Sequence, residues 1–224
     1  MRNRWSRPGK KAGFFVFLIR LKPCNVPALM LIQLPEGNFK GYIFDCDGTL
    51  ADSMPLHYKA WCAALREHEC DFSEALFYEL GGVPTERIIE ILNERHGYSM
   101  EPVETASRKE ELFLKMIPEI APIEPVVAIV NELHGTMPMA VASGGKREIV
   151  VKTLTALGIV QKFDAIIASE DYENGKPHPD PFLLAARRLG LEPDQCLVFE
   201  DTRTGTEAAE AAGMKWVLVP PPKR

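Results

Sequence analysis

Five short apolar runs, and one connection of about ninety residues between the first two of them, constrain the fold of this chain more than any other feature. The runs are Tyr42–Phe44, Met139–Ala142, Ala165–Ala168, Cys196–Phe199 and Trp216–Val219. They are continuous rather than alternating, as strands buried on both faces of a parallel sheet must be. The later runs are separated by stretches of helical length with helix punctuation. Lys146–Leu157 stops at Gly158, a second stretch starts with Asp180 as a cap and Pro181 in its first turn and stops at Gly190, and the alanine-rich Thr204–Ala212 stops at Gly213. Alternation of this kind predicts an α/β fold built on a doubly wound parallel sheet.

A crossover between parallel strands needs only a dozen or so residues, so the stretch from Phe44 to Met139 holds more than a connection. Apolar residues recur in it at helical spacing: Leu56, Ala60, Trp61, Ala64 and Leu65, then Ile88, Ile91 and Leu92, then Leu112 and Met116. We read residues 54–121 as an α-helical cap domain inserted into a Rossmann-like core of residues 39–53 and 122–224. Linkers fall near Ser53 and near Pro118–Pro125, and the cap is expected to close over the substrate.

Residues 1–38 read as an N-terminal extension. Arg2, Arg4, Arg7, Lys10 and Lys11 precede an apolar run from Gly13 to Ile19, superficially a signal or transit peptide. Arg20 and Lys22 end that run too early for a membrane span, and no small-residue cleavage site follows cleanly. The expectation is a disordered extension, or a start assigned upstream of a true beginning at Met30. The formal net charge of −5 makes neither nucleic acid nor an anionic membrane an expected partner. Five cysteines without CxxC spacing read as reduced thiols of a cytoplasmic protein, here expected to be a monomer; the net charge leaves room for a small phosphorylated metabolite, because local cations matter more.

Ligands of parallel sheets gather at the carboxyl ends of the strands. The first run leads into Asp45-Cys46-Asp47-Gly48-Thr49-Leu50 and the second into Ser143-Gly144-Gly145-Lys146. Lys176-Pro177 follows the third, and the fourth ends in Glu200-Asp201. Four acids at one edge are costly unless a cation joins them. Carboxylates suit magnesium, and lysine and hydroxyl groups suit the phosphate it accompanies. Asp45 and Asp47, two apart, lie on the same side of an extended chain, so one can attack phosphorus while the other handles a proton.

The DCDGT run after an apolar strand, then Ser143, Lys176 and the Glu200-Asp201 pair, resembles the four motifs of the haloacid dehalogenase-like superfamily. The likeness extends from Gly41 to the C-terminus and is strongest to the β-phosphoglucomutase and sugar-phosphate phosphatase subgroup, which carries a helical cap after the first motif. It implies that Asp45 forms an aspartyl-phosphate and that Asp47 protonates the leaving oxygen, then activates water. Magnesium would be held by Asp45, the backbone carbonyl of Asp47, Asp201 and, directly or through water, Glu200. Ser143 and Lys176, with Gly144 beside them, would bind the phosphoryl group. In the cap, His57, the loop Gly81–Thr85 with Gly82 and Thr85, and Lys109 match positions near the substrate. Where the mutase has an arginine this chain has Thr85, with Arg87 two residues on; where the mutase has valine it has Thr49, as the phosphatases do. Both departures favour hydrolysis.

Blander readings exist for each motif. DCDG imitates a calcium loop, but its third acid and terminal Glu are missing; SGGK is no P-loop, since Ala140 holds the place of the first glycine. Taken singly, Lys176 is a solvated lysine and Glu200-Asp201 a helix cap. His57 reads equally as a surface histidine, Trp61 as core, and Lys109 and Arg87 as surface charges. The expected function is a magnesium-dependent phosphatase of small, hexose-type sugar phosphates working through phospho-aspartate. The alternative is a β-phosphoglucomutase-like mutase. A silent binding protein is disfavoured because no motif residue is lost, and dehalogenase chemistry because it uses neither magnesium nor an acid/base at Asp47.

Overall fold

The structure, a computed structural model, describes residue 32 and residues 34–81 and 83–222. The readings of residues 1–31 and of Gly82 therefore lie outside the described residues. Five parallel strands form one sheet: β1 (Gly41–Phe44), β2 (Met139–Ala142), β3 (Ala165–Ile167), β4 (Cys196–Glu200) and β5 (Lys215–Leu218), in the order β3-β2-β1-β4-β5. The first strand is central, with Ile43 beside Ala140 on one side and Val198 on the other. The expected strands are all present, to within a residue or so at their ends.

Helices cover both faces. On one face α5 (Glu124–Leu133) and α6 (Arg147–Ala156) pack Val126, Val130, Val150 and Leu154 against Phe44, Val141 and Phe199. On the other, α7 (Asp180–Leu189) and α8 (Arg203–Ala211) pack Phe182, Ala185, Ala208 and Ala209 against Ile43, Ala140 and Val198. The small residues of α8 bring its backbone close to the sheet. A Cβ at Gly205 would fall 1.8 Å from Glu200 Oε1, so only glycine lets the helix start there. One expected detail changes: Asp180 is the first residue of α7 and Pro179 is its cap.

The long connection contains α1 (Met54–Leu65), α2 (Glu74–Glu79), α3 (Thr85–His96) and α4 (Pro102–Met116), followed by α5. Trp61, Leu65, Phe72, Phe77, Ile89 and Leu92 make a core of their own among the first three. Gly97, not named among the expected stops, ends α3 in the left-handed region at φ 74°. In α4 the buried residues are Thr105, Ala106, Lys109 and Phe113, whereas Leu112 and Met116, the expected stripe, are only partly buried. The stripe is displaced because a lysine takes part in it. The chain leaves and re-enters the sheet layer at one point: Ala51 bridges Pro122, and Asp52 N donates to Ala121 O at 2.9 Å. Helix α5 was not anticipated; it is the true crossover to β2.

Phe44 is fully buried on the central strand and stacks on Phe199 with ring centroids 4.7 Å apart. Phe44→Ala is expected to cost about 3–5 kcal/mol, read as a lower urea midpoint at unchanged slope.

Candidate active site

The chain turns abruptly where β1 ends. Gly48 has φ +83°, and a Cβ there would lie 2.2 Å from Asp201 Oδ2, so the DCDGT loop passes directly over the end of β4. Thr49 is fully buried beneath it and its hydroxyl donates to Asp201 Oδ1 at 3.1 Å. Lys176 reaches in from the loop after β3 and donates to Asp45 Oδ1 at 2.6 Å and to Glu200 Oε1 at 3.2 Å. Glu200 is held in turn by the backbone N–H groups of Asp201 (2.7 Å) and Thr202 (3.2 Å) and by the Thr202 hydroxyl (2.9 Å).

Asp45, Glu200 and Asp201 each offer a carboxylate oxygen within 4.8 Å of the others. If all are ionised, the single lysine among them leaves two negative charges uncompensated, the charge of one divalent cation. The crowding shows in the acidities. Burial, together with Glu200 and Asp201, pushes the Asp45 carboxyl well above the usual range despite Lys176. Burial and Glu200 push Asp201 up to about 7. Burial works against the Lys176 ammonium, but Asp45 and Glu200 more than reverse it and raise its pKa. An all-oxygen donor set of this charge fits magnesium.

Asp47 belongs to a second array. Its Oδ1 accepts from the Ser53 hydroxyl at 2.6 Å and lies 3.2 Å from His57 Nε2. His57 Nδ1 lies 3.0 Å from Lys109 Nζ. An ammonium at Nδ1 makes that nitrogen the acceptor, so Nε2 carries the proton toward Asp47. The ring is clamped on Phe113 (centroids 3.7 Å apart, interplanar angle 8°). Burial would raise the Asp47 pKa, yet His57, Ser53 and Lys109 together hold it at about 2. Burial lowers Lys109 to about 8, against the pull of Asp47 and Glu110.

Ser143, at the end of β2, is buried and its Oγ accepts from Gly145 N at 3.0 Å. A Cβ at Gly145 would lie 3.4 Å from Ser143 Oγ and 3.8 Å from Asp47 Oδ2, so this loop lies against the second array. Asp45, Thr49, Lys176, Glu200 and Asp201 thus form one cluster, and Asp47, His57, Lys109 and Ser143 border it. Gly144 is exposed beside them. Thr85 opens α3, half-buried, whereas Arg87 is exposed and spent on Glu90 (2.8 Å) and Glu94 (3.1 Å) of its own helix. The Asp47 carboxylate does not join the acidic cluster of Asp45, Glu200 and Asp201.

Three participants were not anticipated as such. Ser53, read only as a linker, is wholly buried and serves Asp47 instead of capping α1. Phe113 lies four residues after Lys109, on the same helix face, a signal that was available. Tyr172 donates to Ser143 O at 3.0 Å, and nothing in its sequence context announces this.

The haloacid dehalogenase-like hydrolase family profile matches residues 42–219. Fructose-1-phosphate phosphatase YqaB of Escherichia coli (strain K12) is 39% identical over 181 residues, which are 81% of this chain and 96% of that protein. Hexitol phosphatase A of the same organism is 29% identical over 185 residues, 82% of this chain and 84% of that protein. Among solved structures, β-phosphoglucomutase from Clostridium difficile superposes with a TM-score of 0.71 at 26% identity, covering 80% of this chain and 83% of that one. With its profile match, its parallel sheet and helical insertion, and these relatives, the chain belongs to the haloacid dehalogenase-like hydrolase family.

Proposed function

We propose that this protein is a magnesium-dependent phosphatase of small hexose-type sugar phosphates, acting through a phospho-aspartate on Asp45. The observation that carries the reading is the pairing of two arrays: a buried acid held by a lysine, and beside it an acid held by a serine and a histidine. The names of the relatives, a fructose-1-phosphate phosphatase and a hexitol phosphatase, support the substrate class.

In this reading a carboxylate oxygen of Asp45 attacks phosphorus, and the bond from phosphorus to the sugar oxygen breaks. Asp47 is a carboxylate in the free site. The arriving phosphoryl anion raises its proton affinity, Asp47 takes up a proton carried in by the phosphate monoanion or drawn from solvent, and it then delivers that proton to the departing sugar oxygen. A water next attacks the phospho-aspartate, gives its proton back to Asp47 and releases phosphate from Asp45. Asp45, Glu200 and Asp201, with the Asp47 carbonyl, are the residues that would hold magnesium. The ion, when bound, supplies charge neutralisation at the phosphoryl oxygens. Lys176 and Ser143 bind the phosphoryl group, and His57 and Lys109 orient Asp47. Residues 54–121 act as a cap on a core of 39–53 and 122–224, excluding water until Asp45 is phosphorylated. Two features favour hydrolysis over the mutase alternative: Thr85 in the cap loop, and Arg87 engaged away from the site.

Phosphate release from a panel of sugar phosphates is expected with magnesium and not with chelator, and Asp45→Asn is expected to abolish it. Turnover that survives the substitution would sink the reading; absence of turnover in both proteins would redirect the assay to glucose-6-phosphate formation. Asp201→Asn relieves the carboxylate crowding. It should raise Tm in chelator by about 2–4 °C, roughly 1 kcal/mol, while removing the upward shift that magnesium gives the wild type. The ammonium form of Lys109 holds the His57 tautomer, so kcat/KM should be full below and fall as pH rises through about 8. Lys109→Met should lower activity and lose that limb.

A further inference from the structure

The seam between the inserted helices and the sheet carries a charge arrangement that phosphoryl transfer itself does not use. Lys146 directly follows Gly145, the residue seated against Ser143 and Asp47. Its ammonium is bound at 2.8 Å by Glu110 Oε2 of α4, whose side chain is only 16% exposed. Glu110 adjoins Lys109, which connects through His57 to Asp47. The ion pair therefore joins core to cap at the mouth of the site. Glu86 of α3 and Glu170 also act electrostatically on Lys146, and both Glu170 oxygens accept from Arg147 N at 3.0 Å.

Gly145, the neighbour of Lys146, lies against Asp47, so an ester with phosphorus at Asp45 and its leaving oxygen at Asp47 would bring its far end near this seam. A second anionic group there meets three carboxylates around one ammonium that is already taken. The neighbouring cations are engaged as well: Arg147 by Asp171, Arg87 by Glu90 and Glu94, and Lys109 by His57. Exposed pairs exchange partners at little cost, and Lys146 is 47% exposed, but Glu110 is only 16% exposed, so an anion that takes the ammonium leaves a mostly buried carboxylate without its hydrogen-bonded partner.

We infer that Glu110 is a specificity-determining residue. By occupying Lys146 it tunes the site to monophosphates whose far end is an uncharged sugar or polyol, and turns away esters bearing a second phosphate or a carboxylate. The inference deepens the phosphatase reading above and rests on it. Glu110 contributes through repulsion of the wrong substrate rather than attraction of the right one.

The test is kcat/KM, with magnesium, for fructose 1-phosphate and fructose 1,6-bisphosphate in wild type, Glu110→Gln and Lys146→Gln proteins. Wild type should favour the monophosphate by about tenfold or more. Glu110→Gln should shrink that ratio by about fivefold, chiefly through a lower KM for the bisphosphate, and Lys146→Gln should widen it. A purely structural seam would make both substitutions act alike on both esters; that result, or equal use of the two esters by wild type, overturns the proposal. If neither ester is hydrolysed the phosphatase reading fails by itself. Calorimetry on the Asp45→Asn background then decides the role of Glu110: added Glu110→Gln must tighten bisphosphate binding relative to monophosphate, and no change overturns it.

Discussion

A lysine ammonium enclosed by carboxylates is the interaction on which this architecture turns. Lys176 sits between Asp45 and Glu200 with about a tenth of its side chain exposed. Two unit charges about 4 Å apart interact with roughly 4 kcal/mol at an effective dielectric near 20. At that strength neither the lysine nor the acids could be buried alone. The loop after β3 must therefore reach across to the end of β1, and β4 must end beside both. The backbone N–H groups of Asp201 and Thr202 fix Glu200, and the glycine at 205 makes room for its carboxylate, so α8 is placed by the same charge.

The second acid is handled in the opposite way. Asp45 is pushed toward protonation by its surroundings, whereas Asp47 is held firmly as a carboxylate. Two residues apart on one loop, they are given different acidities by different neighbours: acids at the end of β4 for the first, the serine preceding α1 and a histidine of α1 for the second. The contrast in acidity between the two acids follows from which neighbours each one faces.

The sheet and the core motifs were legible in the sequence because their signals are local. An apolar run ending in Asp45 or in Glu200-Asp201 announces both the strand and the polar edge it reaches. Helix stops at Gly158, Gly190 and Gly213 were equally plain, each adopting positive φ. What stayed hidden depends on partners distant in sequence. The stripe of α4 was misplaced because Lys109, a charged residue, is buried against His57, Trp61 and Phe113. Arg87 looked available until its helix supplied Glu90 and Glu94. Ser53 looked like a hinge until its hydroxyl met Asp47. Helix α5 escaped notice because it follows directly on the insertion and shares its apolar character.

The bridge between Ala51 and Pro122, with the bond from Asp52 N to Ala121 O, closes the inserted helices at their base. Seen from the sheet, four helices amount to a loop of almost no span. Closing a loop whose ends already touch grows more costly only with the logarithm of its length. The insertion can therefore be enlarged, trimmed or exchanged over evolutionary time while the strand ends, and the acids they carry, stay in register. Whatever lies beyond this clasp can be rebuilt without moving the acids at the strand ends.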